Sequence, residues 1–165
     1  MKIQGLFTAG SLLLVVCAPL APANVIVVPN TLTTVEGNDN NFGPFLNNSV
    51  RYQQVYSASQ FPTSTGPLRV TQIAFRPDGS VSDPSLIIRF DSVRINLSTT
   101  SRTPSTLSTL FANNVGVDDM RVFNSFVFVN APVTGTPGRA QRFTVAFAFK
   151  SFHFTTRGRA TLLRV

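Results

Sequence analysis

The side chains able to do chemistry are few, and their spacing limits what they can do. One histidine and one cysteine occur in 165 residues, which removes a disulfide framework, a four-ligand zinc site and a Cys-His couple. His153 lies between Phe152 and Phe154 with no second His or Cys beside it, so it reads as an ordinary strand residue. No Gly-x-Ser-x-Gly turn presents a nucleophilic serine. Asp118 and Asp119 are adjacent, so on a strand they would point to opposite faces, and a turn is the better reading. Neither arrangement is the spaced carboxylate pair of a glycosidase. The expectation is a protein that is not an enzyme.

Two groups offer binding instead. Glu36-Gly37-Asn38-Asp39-Asn40-Asn41 is rich in oxygen, and Glu36 and Asp39 are candidate calcium ligands. The loop lacks the spaced acids and closing Glu of an EF-hand, and calcium takes six or more oxygens, so a solvated Asn-rich turn competes with the metal site. Tyr52 and Tyr56 share one face of a strand and are candidates for a sugar-stacking platform, with extracellular polysaccharide as the partner. A buried aromatic pair is the competing use of that spacing. No cofactor beyond this calcium is expected.

The elements that position these groups begin after a targeting segment. Met1-Lys2, the apolar run Leu12 to Val16 and the small residues Ala21-Pro22-Ala23 form a signal peptide over residues 1–23. The run is far short of the roughly 20 residues that span a bilayer, so the mature chain carries no stable membrane span. Cys17 follows Val16, which is too large for a lipoprotein site. The expectation is a secreted or cell-envelope protein with no thiol after cleavage.

The net charge of +7 is unevenly placed. Asn24 to Asp119 holds six Arg against seven acids, whereas Met120 to Val165 holds seven bases and no acid. Those bases alternate with Phe, Val and Ala and form no Lys/Arg cluster, so nucleic acid is not an expected partner.

Residues 24–165 read as one all-β domain, an antiparallel β-sandwich of jelly-roll type with one short helical turn. Strands are expected at Asn24 to Pro29, Val50 to Phe61, Leu68 to Phe75, Ile87 to Thr99 with a bend near Asp91-Ser92, Met120 to Asn130 and Gln141 to Phe154. Arg76-Pro77-Asp78-Gly79 and Ala131-Pro132 supply breaks. Within Ile87 to Thr99, Val93, Ile95 and Leu97 should face the core and Arg94, Asn96 and Ser98 the water. Leu107, Leu110 and Phe111 give Thr106 to Asn114 the one helical stripe.

Several short blocks carry a resemblance: Val27-Val28-Pro29-Asn30, Thr34-Val35-Glu36-Gly37-Asn38, Arg51-Tyr52-Gln53-Gln54-Val55-Tyr56, Phe75-Arg76-Pro77-Asp78, Ile95-Asn96-Leu97-Ser98-Thr99-Thr100 and Phe111-Ala112-Asn113-Asn114-Val115-Gly116. Over roughly residues 24 to 130 the chain resembles secreted bacterial proteins of the PEP-CTERM sorting class. The resemblance implies an exported β-rich protein with a cell-envelope or extracellular-matrix role. It also implies a C-terminal Pro-Glu-Pro signal, hydrophobic helix and basic end, and this sequence shows none of the three. A one-base frameshift between Phe123 and Arg139 accounts for the missing acids, because the shifted frame can spell the class's Tyr-Asp-Pro closing segment across Phe154 to Leu162. Residues 139–165 are then expected to be an out-of-frame tail.

Overall fold

The computed structural model describes residues 24–37, 49–61, 67–79, 82–83, 87–130, 133–134, 136, 138–143, 145–155 and 160–164. Residues 1–23, expected to be a signal peptide, and Asp39 and Ala131-Pro132 lie outside them. The described residues are all-β, with eight strands and three 3-10 turns. The strands are β1 (Gln53–Tyr56), β2 (Leu68–Phe75), β3 (Ser82–Asp83), β4 (Ile87–Thr100), β5 (Met120–Asn130), β6 (Val133–Thr134), β7 (Val145–Phe154) and β8 (Ala160–Arg164).

Every pairing is antiparallel: β1 with β8, β2 with β7, β3 with β6 and β4 with β5. Each later strand closes over an earlier one, so the pairs are nested in the chain. β8 also pairs with the end of β4, giving a four-stranded sheet in the order β1-β8-β4-β5 beside the two-stranded β2-β7 and β3-β6. The segment from Arg139 onward therefore contributes β7 and β8.

The core forms where the four-stranded sheet meets β7. Val93, Ile95 and Leu97 of β4 pack with Phe147, Phe152 and Phe154, and the Phe123 and Phe147 rings meet edge to face at 5.0 Å. Phe147 and Phe152 are an odd number of residues apart, so an unbroken strand would send them to opposite faces. The β2-β7 register shifts between Val70/Phe152 and Gln72/Ala148, and the extra β7 residues re-aim the strand so that both rings turn inward. A second shift, between Phe90 and Val93, supplies the bend expected near Asp91-Ser92.

Three local expectations are corrected. Asn24 to Pro29 joins no strand; the neighbouring contact is an isolated bridge from Val35 to Arg139. Ser98 is 1% exposed, since β8 and the loop before β5 cover the end of β4 on the side where water was expected. The short helical turn expected within Thr106 to Asn114 is present as a 3-10 turn at Phe111–Asn114, but its apolar stripe does not pack, since Leu107 and Leu110 are exposed. Thr103, Ser105 and Thr106 bond to one another and to nearby backbone, which offers the chain an alternative to helix.

Candidate functional site

The end of β4, the start of β2 and the end of β7 meet at an open cleft of about 410 Å3 lined by Pro67, Thr99, Asp118, His153, Phe154 and Thr155. The β2-β7 register sets Leu68 opposite Phe154 and Arg69 opposite His153. Pro67 thus comes beside Thr155. Phe154 is buried, with its ring edge-on to Phe61 at 5.2 Å, while His153 is exposed. On the other wall, Asp118 Oδ1 accepts the Thr99 backbone N–H at 2.8 Å and the Thr99 hydroxyl at 3.0 Å.

That wall depends on Gly116, which runs against β4. A Cβ at Gly116 would stand 2.0 Å from the Thr99 carbonyl oxygen, so only glycine fits the approach. Asp118 lies in the turn before β5, as its adjacency to Asp119 suggested. Asp119 Oδ2 accepts instead from Asn96 Nδ2 at 3.2 Å. The cleft thus offers an oriented carboxylate, an exposed imidazole and a threonine hydroxyl above an apolar floor. Such a set suits hydrogen bonding to a hydroxyl-rich ligand.

Sequence reading named His153 and Asp118 separately and missed their shared cleft. Carried on in phase, the alternation of Phe143 to Phe149 would turn His153 inward; neither the register irregularity that reverses the phase nor the pairing that brings His153 near Thr99 is visible in the sequence.

Tyr52, just before β1, and Tyr56 within it do come together at Gln54. Both phenols donate to Gln54 Oε1, at 3.0 Å from Tyr52 and 2.8 Å from Tyr56, and both tyrosines are half-buried. Tyr56 packs against the core. Burial holds its phenol well above the ordinary value of 10.0, and neighbouring Tyr52 adds to the shift. The two phenols thus meet on the Gln54 amide between them, and Tyr56 joins the pair to the core.

Glu36 is likewise engaged: Oε1 accepts the Gly79 N–H and Oε2 the Gly138 N–H. Arg76 reinforces this junction by donating to the Leu32 carbonyl at 2.6 Å and the Val35 carbonyl at 2.8 Å. Each Glu36 oxygen thus already holds one backbone N–H. Among the described residues no three His, Cys, Asp or Glu side chains gather as a metal-binding group.

A third knot escaped sequence reading. Asn114 is 2% exposed; its Oδ1 accepts Ser108 N–H at 2.8 Å, and its Nδ2 donates to the Ser108 carbonyl and Gln53 Oε1, both at 2.9 Å. Gln53 Nε2 donates in turn to the Phe111 carbonyl at 3.1 Å. The 108–115 loop is thereby tied to β1, where Val115 packs on Val55.

No helix among the described residues is long and apolar enough to cross a membrane. In comparisons with family models, curated proteins and solved structures, the chain matches none.

Proposed function

We propose that the chain is an exported, non-enzymatic β-sandwich protein of jelly-roll type with a cell-envelope or extracellular-matrix role. The nested antiparallel pairs β1-β8, β2-β7, β3-β6 and β4-β5 favour the jelly-roll reading, since a long hairpin rolled on itself produces such nesting. The observation that carries the functional reading is the use of the polar groups. Glu36, Asp118 and Asp119 each fasten one stretch of the chain to another, and the Tyr52 and Tyr56 phenols are taken up by Gln54 between them. Carboxylates and phenols spent in this way serve the architecture. The signal peptide and the resemblance to the PEP-CTERM sorting class supply the destination.

The test is fractionation of a bacterium that exports the full chain. The product is expected in the envelope or matrix fraction with Asn24 as its first residue; cytoplasmic product still beginning at Met1 overturns the proposal.

The cleft favours a second reading, a carbohydrate-binding module. On a glycan array, Asp118→Ala should weaken binding about tenfold if a sugar hydroxyl bonds there, since a lost hydrogen bond to a charged group costs about 1.5 kcal/mol, and His153→Ala should weaken it as well. Loss on Tyr52→Ala with the cleft variants unaffected would return the site to the tyrosine face. An array with no bound glycan rejects this reading.

A further inference from the structure

We propose that the open edge of β5 pairs with β5 of a second copy about a two-fold axis, joining two four-stranded sheets into one. β5 closes the sheet order β1-β8-β4-β5, and among the described residues no strand bonds to its other edge. Open edges are usually guarded by charge, proline or a short length. β5 runs for 11 residues and carries one charge, Arg121. It also exposes Phe126 (67%) and Phe128 (56%), with Ile87 of β4 exposed near the pair.

The β5 sequence is self-complementary in one register. With Val127 on the two-fold axis, antiparallel pairing sets Phe126 of each copy opposite Phe128 of the other. Directly opposed residues share a face, so the two aromatic pairs form together on the outer side. Charge selects the same arrangement: parallel pairing in register would place the two Arg121 side chains side by side. The antiparallel register holds them roughly 40 Å apart along the strands, several screening lengths.

Area sets the strength. The four phenyl side chains, at about 200 Å2 each and somewhat over half exposed, contribute roughly 500 Å2. A stable complex buries at least about 1,200 Å2, and the paired backbone edges supply part of the difference. The dimer should therefore be weak and concentration-dependent.

Sedimentation equilibrium of the secreted chain tests this. The mass should rise with concentration and level off at twice the monomer, and Phe126→Lys with Phe128→Lys should restore the monomer without changing circular dichroism. Phe143→Lys, at an exposed position outside β5, should leave the dimer intact. To check register, chains bearing Asn124→Cys and Asn130→Cys should cross-link when mixed and not separately. A monomer up to millimolar concentration, growth beyond two copies, or a dimer indifferent to the β5 lysines would each overturn the proposal.

Discussion

Replacing Asn114 with Ala should be among the most damaging single changes outside the apolar core. The side chain makes three hydrogen bonds at 2.8 to 2.9 Å from a nearly fully buried position. Alanine deletes them and leaves the Ser108 N–H, the Ser108 carbonyl and Gln53 Oε1 short of a partner. Each such group costs about 1 kcal/mol or more when water cannot reach it, so the total is about 3 kcal/mol. For a domain of this size that corresponds to a fall in Tm of about 10 °C. Asn114→Asp keeps the bond from Ser108 N–H but turns an anionic oxygen toward two acceptors. Its loss should exceed that of alanine at pH 7 and shrink at pH 4, where a protonated carboxyl can donate. Leu110→Ala is the contrast: Leu110 is 67% exposed and should change stability by less than about 0.5 kcal/mol. Urea unfolding followed by circular dichroism measures all three. Equal losses for Leu110→Ala and Asn114→Ala would refute the claim that the amide, and not an apolar stripe, anchors this loop.

Three further outcomes are expected. Ile95 is fully buried, so Ile95→Ala should cost about 2–5 kcal/mol, whereas Asn96→Ala should stay within about 0.5 kcal/mol; urea midpoints compare them. Gly116→Ala should destabilise by at least about 1 kcal/mol, because its Cβ would stand 2.0 Å from a backbone oxygen of β4; thermal unfolding reads this. In an alkaline absorbance titration, Tyr56 should stay protonated at pH values where free tyrosine ionises, since its folded-state value is raised above 10.0. The stability linked to Tyr56 is whole below about pH 10 and falls as pH rises toward the folded-state value, so urea midpoints should decline over that range.

Much of the β architecture was legible from residue type alone. Val93, Ile95 and Leu97 alternate with polar residues in the sequence, and all three are buried. The limits were illegible where burial comes from distant chain. Ser98 follows the polar phase of that alternation, yet β8 and Gly116 cover it, and neither is near it in sequence. The 106–114 stripe misled because periodicity counts apolar residues and ignores hydroxyls that bond locally. The basic excess of the tail needs no binding partner to be compatible with strand: Arg142 and Lys150 are exposed while Phe147, Phe152 and Phe154 are buried. For the candidate site, residue types identified Glu36, Tyr52 and Tyr56 as polar or aromatic landmarks. They could not reveal that Gln54, Gly79 and Gly138 take up their hydrogen-bonding groups.

The nested pairing also bears on how the chain acquires its structure. Leu97 meets Met120 across the single connection 101–119, but Gln53 must wait for Arg164. Once β4 and β5 have joined, each outer pair closes a shorter effective loop than it would alone, and shorter loops lose less chain entropy. Assembly from the middle outward is thus the inexpensive order. A chain leaving a ribosome or an export channel amino end first presents β1 long before β8 exists. Its first strand travels without its hydrogen-bonding neighbour until β8 is free, so folding is expected to follow the release of β8, at the slow rates of proteins dominated by distant contacts.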